Sequence, residues 1–146
     1  ANKDFITNSR YANETDENGV PFEWDHTVRV DTTTIDELIT TYGVPQFIKI
    51  DTVGDEHVTL NGLTKLYPDT TIMFKVREEF LSNTNICLQY LRKLGYNKFG
   101  LIEGDQVGDL PNKYHDIELF NKKLKQAFPE PQNNFLGTIF TKYENK

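Results

Sequence analysis

The side chains in this sequence best placed to do chemistry are polar groups that follow short apolar runs. Asp51 closes the run Phe-Ile-Lys-Ile (47–50), and Thr52, Gly54 and Glu56 come within the next five positions. Lys75, Arg77 and Glu79 stand around the end of a second run (70–76), and residues 103–105 follow a third. In open α/β sheets ligands bind beyond the carboxyl ends of the strands, so strand-end residues are the ones to position a ligand amine or hydroxyl. A carboxylate such as Asp51 serves that purpose, and it equally serves to cap the N–H groups of a following helix.

Other reactive groups offer less. His26, His57 and His115 are far apart and have neither an H-x-x-x-H spacing nor a cysteine partner, so solvated or hydrogen-bonded imidazoles are expected in place of a metal site. Cys87 falls in an apolar helical pattern, where a small buried thiol is the ordinary outcome, and as the lone cysteine it cannot form an internal disulfide. Gly100, Gly104 and Gly108 are spaced too widely for a cofactor turn and read as loop punctuation. Lys122, Lys123 and Lys125 lie beside an apolar stripe, as on a solvated helix face. Trp24 is either a hydrophobic plug or an exposed contact residue, and the Asn13 sequon carries little weight.

The elements that hold these groups alternate in type. Residues 27–30 suggest a short strand. Thr34 and Glu37 form a capping-box pair, followed by Ile35, Leu38, Ile39 and Tyr42 at helical spacing and a stop at Gly43 and Pro45. The strand 47–50 leads to a helix opened by Gly54 and Asp55 and carrying Val58, Leu60 and Leu63. The β-branched run 70–76 suits a central strand covered on both faces. Ser82 or Asn83 is placed to cap a third helix with Ile86, Cys87, Tyr90, Leu91 and Leu94 inward, ending at Gly95. Strand 96–102, a helix marked by Ile117, Phe120, Leu124 and Phe128, and a last strand over 135–143 complete the chain.

Strands alternating with helices mean βαβ units and a mostly parallel sheet with flanking helices, an α/β, Rossmann-like class in which the last strand is expected to run antiparallel. The 146 residues suit one domain, with 1–26 loop-rich and 27–146 forming the core. Sixteen basic against 22 acidic residues, a net charge of -6, argue against nucleic acid as a partner. No apolar run is long enough to cross a bilayer, and the single cysteine fits the cytoplasm or another reducing compartment.

The stretch 33–63, TTIDELITTYGVPQFIKIDTVGDEHVTLNGL, resembles the FkbM family of S-adenosylmethionine-dependent methyltransferases. That family shows a Thr-Leu-Asp-Asp-Leu helix start, a Pro-Asp-Phe-Ile-Lys-Ile-Asp strand, and Val-Glu-Gly-x-Glu before a helix ending Leu-x-Gly. Thr34, Asp36, Leu38, Pro45, Phe47, Ile48, Lys49, Ile50, Asp51, Gly54, Glu56, Leu60 and Gly62 match. The later segments LQYLRKLGYNKF and LGTIF are also similar.

The resemblance implies the second half of a class I methyltransferase fold, with S-adenosylmethionine as cofactor. It places Asp51, Thr52 and Gly54 against the donor, Asp51 and Glu56 at the reacting groups, and Lys75, Arg77 and Glu79 on the acceptor side. Positioning and proton removal would then carry the reaction. Three departures stand beside it: the glycine-rich donor half is not among these residues, Val53 replaces the family's first loop glutamate, and Lys75 replaces a strand-end acid. Two outcomes follow: a module inactive until the donor half is supplied, or a non-catalytic structural or interaction protein on an old scaffold. Either leaves a sheet edge uncovered, so self-association or a second chain is expected there.

Overall fold

The computed structural model describes residues 6–7, 14–23, 28–104, 110–127 and 136–145. In chain order the elements are α1 (Ile35–Tyr42), β1 (Phe47–Ile50), α2 (Glu56–Leu60), β2 (Thr71–Arg77), a 3-10 turn (Glu78–Phe80), α3 (Leu81–Leu94), β3 (Lys98–Glu103), α4 (Ile117–Ala127) and β4 (Leu136–Lys142). This is an α/β arrangement around one four-stranded sheet of order β1-β2-β4-β3.

The sheet is mixed, which corrects the expectation of a mostly parallel one. Only β1 and β2 pair parallel, because β4 enters antiparallel between β2 and β3. The last strand thus runs antiparallel, as expected. Since β4 opposes both of its neighbours, β1, β2 and β3 still share one direction and deliver their carboxyl ends to one edge.

Register puts Ile48, Ile50, Ile72, Phe74, Val76, Ile139, Phe99 and Leu101 on a single face. Those side chains share one core with Ile35 and Ile39 of α1, Leu60 of α2, Cys87, Leu88 and Leu91 of α3, and Ile117, Phe120 and Leu124 of α4. The four helices therefore lie on the same side of the sheet. Strand β2 buries only alternate residues, so it is internal but not equally covered on its two faces. On the other face the segment after β3 crosses Gly100, where an added Cβ would come within 2.6 Å of Pro111.

Local chemistry accounts for the helix ends. Thr34 and Glu37 form the reciprocal capping box, and Gly95 ends α3 with a left-handed backbone, φ 112°. Neither Ser82 nor Asn83 caps α3. The helix continues directly from the 3-10 turn, so its first N–H groups are served by the preceding residues and both side chains lie inside it. Within α3, Thr84 and Leu88 join Cys87 and Leu91 on the buried stripe while Ile86 is exposed.

Residues 28–30 are not a strand. Val28 and Val30 are 78% and 72% exposed, and a lone extended segment has no ladder to satisfy its main chain. Thr27, Trp24, His26, Phe128 and Phe135 lie outside the described residues, as do Asn13, Asp105 and Gly108.

The contact beneath Pro111 predicts a specific cost. Gly100→Ala overpacks this site and should lower unfolding stability by about 1–3 kcal/mol, measured by denaturant titration.

Candidate functional site

The loop 51–55 joins β1 to α2 at the carboxyl edge of the sheet. Asp51 forms an ion pair with Lys49 at 3.0 Å. Because Ile48 and Ile50 enter the core, Lys49 lies on the face opposite α1 to α4 and draws Asp51 toward it. The hydroxyl of Thr59 approaches that of Thr52 at 3.4 Å. Val53 and Gly54 follow with φ values of 46° and 94°. Glycine adopts that conformation freely, whereas a β-branched side chain there is strained.

Two positive φ values in succession turn the chain so that Gly54 N–H points at the Glu56 carboxylate, donating to its oxygens at 3.0 and 3.2 Å. Asn83 of α3 donates from Nδ2 to the Gly54 carbonyl at 2.9 Å. The loop is thereby held to two helices at once. Glu56 is only 5% exposed. Burial pushes its carboxyl above the ordinary range, against the lowering effect of backbone hydrogen bonds, and the negative charges of Asp55 and Asp51 add to the rise. Burial also pushes the Cys87 thiol up to about 12, with the Glu56 charge adding to it. A thiol so placed stays protonated and is no nucleophile.

The remaining expected residues are distributed around the edge without joining this cluster. Lys75 and Arg77 lie within β2, paired with Thr138 and Leu136, on the face opposite Phe74 and Val76. They therefore project away from the layer that encloses Glu56, and Lys75 is an interior strand position. Glu79 sits in the 3-10 turn at the same edge. Gly104 N–H donates to the Leu136 carbonyl at 2.7 Å, closing the ladder beside Glu103. Among the described residues no group of three or more His, Cys, Asp or Glu side chains is arranged to hold a metal ion.

A second constellation was not anticipated from the sequence. Asp36 accepts the Thr64 N–H at 2.9 Å, the Thr64 hydroxyl, and the Tyr67 hydroxyl at 3.3 Å. Burial works to raise its carboxyl, but the hydrogen bonds from Thr64 and Tyr67 and the charge of Lys65 outweigh it and hold the group below the ordinary range. Alongside, Asp36 N–H donates to the Gly62 carbonyl at 2.9 Å, and a Cβ on Gly62 would come within 3.1 Å of Thr34 Cβ. Thr34, Asp36 and Gly62 meet here as one structural clasp. The only sequence signal for it is an aspartate in the first helical turn and a glycine some 25 positions later, which no periodicity connects.

A cleft at the other end of the strands, lined by Arg92, Lys98, Asp116, Glu118 and Glu144, is far from this loop. Its charges are engaged: Arg92 pairs with Glu118 at 3.3 Å and Lys98 with Glu144 at 3.7 Å. No helix among the described residues is long and apolar enough to cross a membrane. Comparison of the chain with protein-family models, curated proteins and solved structures gives no match.

Two predictions follow from the loop. A carboxyl raised by folding contributes stability that is complete below the unfolded carboxylate pKa and is lost as pH rises through the folded one. Glu56→Gln keeps an oxygen for Gly54 N–H without the charge, so its melting temperature relative to wild type should rise steadily from pH 4 to pH 7; a difference constant across that range contradicts the assignment. Val53→Gly removes the left-handed strain and should add about 0.5–1 kcal/mol to unfolding stability after glycine's extra chain entropy is deducted.

Proposed function

We propose that these residues form the acceptor-side half of a doubly wound, Rossmann-like S-adenosylmethionine-dependent methyltransferase fold, inactive until a donor-binding half joins it. One observation carries the reading. The crossovers from β1 to β2 and from β2 to β3 place their helices on the same face and step the same way across the sheet, and among the described residues no strand lies beyond β1. A doubly wound sheet has a second set of strands stepping the other way from that point, and its ligand lies at the reversal, outside the strand carboxyl ends. The loop 51–55 stands at that end of β1. In this reading Asp51, Thr52 and Gly54 border the donor, Glu56 underlies the loop, and Lys75, Arg77 and Glu79 face the acceptor. The donor would supply the methyl group as a sulfonium; this chain's part is to position the acceptor and its proton.

The β1 edge, which no described residue pairs, is also where a partner belongs, either a second chain or another copy. A second reading, a non-catalytic structural or interaction protein, is favoured by a specific observation: both candidate acids are already engaged, Asp51 with Lys49 and Glu56 with Gly54 N–H. An acid tied into the loop is a poor general base.

Calorimetric titration tests the reading. The chain alone should show no binding heat with millimolar S-adenosylmethionine, and micromolar binding to these residues by themselves would contradict a half-fold. A glycine-rich strand-turn-helix encoded upstream of residue 1 would favour the methyltransferase reading over the scaffold one.

A further inference from the structure

Strand β1 is an outer strand, and no described residue pairs with its free side. The Gln46 carbonyl accepts the N–H of Thr71 at 2.9 Å. Parallel pairing alternates, so residues 46, 48 and 50 direct their main-chain groups to β2, whereas Phe47, Lys49 and Asp51 direct theirs outward. Leu38, Tyr42, Val44 and Phe47, which lead into and open this strand, are 45%, 83%, 58% and 44% exposed. An edge of this kind is a template for another strand.

We propose that the β1 edge closes on β1 of a second copy of this chain, antiparallel, about a two-fold axis at Ile50. The proposal rests on the reading above, in that it names what holds this edge while the donor-binding half is absent. The argument is charge complementarity. Lys49 and Asp51 are two residues apart on one face, already paired at 3.0 Å. Antiparallel pairing about Ile50 sets Lys49 opposite Asp51 of the second copy, and Asp51 opposite its Lys49, through outward main-chain groups that can exchange hydrogen bonds. The four charges then alternate in sign around a square, each beside one opposite charge along its strand and another across it.

Other registers do less well. Centring on Lys49 sets two lysines face to face, and centring on Ile48 pairs Phe47 with Lys49 and leaves Asp51 unmatched. Pairing stops after Asp51 because Val53 turns the chain with φ 46°. The two-fold operation makes the contact self-complementary and closed, so association ends at the dimer.

Sedimentation equilibrium over a range of concentrations should give a mass twice 16.9 kDa. Lys49→Asp fills the square with four acids and Asp51→Lys fills it with four lysines, so each should weaken dimerisation by roughly tenfold or more. Lys49→Asp/Asp51→Lys restores alternation and should restore the dimer. Circular dichroism establishes that every variant is folded, and hydrogen exchange should slow at the Lys49 and Asp51 amides in the dimer alone. A monomeric wild type overturns the proposal, as does a dimer indifferent to the single reversals or a double variant that stays monomeric. A monomer that binds no S-adenosylmethionine leaves the half-fold reading standing; a chain that binds it unaided overturns that reading whatever its mass.

Discussion

Burial on one side of the sheet is the constraint from which the rest of this structure follows. Ile72, Phe74 and Val76 of β2 are fully buried, and their register partners Thr141, Ile139 and Gly137 on β4 face the same way. A slip of one residue would bring Met73, Lys75 and Arg77 into the core and expose the apolar set, so the pairing admits one register. With that register set, every helix has a single apolar surface to cover. The strand-borne charges Lys49, Lys75, Arg77, Lys98 and Lys142 are all sent to the opposite face. Lys98 and Lys142 stand directly across from each other, a repulsive placement that Glu144 offsets by pairing with both at 3.7 Å.

The first helix is joined to this core by polar contacts as much as by packing. Ile35 and Ile39 reach the core, but α1 is short and its orientation depends on the bonds that Thr64 and Tyr67 donate to the Asp36 carboxylate and on the one that Asp36 N–H donates to the Gly62 carbonyl. Gly62 allows the approach because a side chain there would press on Thr34. Thr34, Asp36 and Gly62 thus meet at a joint between α1 and the turn after α2, and their spacing is accounted for by two helix ends that must touch.

Much of the fold was legible because its signals are local. The capping box at Thr34, the left-handed stop at Gly95, the β-branched run of β2 and the apolar stripe of α4 each rest on neighbours within a few residues. What failed was non-local. Nothing in 136–142 says that the strand inserts between β2 and β3, and that insertion is what turns a mostly parallel sheet into a mixed one. Residues 28–30 have a strand's alternation, but alternation without a partner edge makes no strand. The candidate site was legible in position only. Asp51 and Glu56 do fall at the carboxyl edge, yet the sequence does not say that one turns to Lys49 and the other folds inward beneath Gly54.

That divergence bears on what the edge can do. A pair of carboxylates acting on one substrate needs free lone pairs directed at a common point. Here one acid is drawn toward a lysine on the face opposite α1 to α4, and the other is buried with its oxygens on a loop N–H. Burial raises the Glu56 carboxyl, the direction that suits a proton carrier, but access is lacking, since the group is enclosed beside a thiol that is itself held protonated. The left-handed backbone at Val53 is part of the arrangement, held in place by the bonds of Gly54 to Glu56 and Asn83. Joint action of these two carboxylates therefore requires the loop to give up its bonds to Lys49 and Gly54 N–H, a rearrangement that the proposed half-fold would ask of whatever docks against β1.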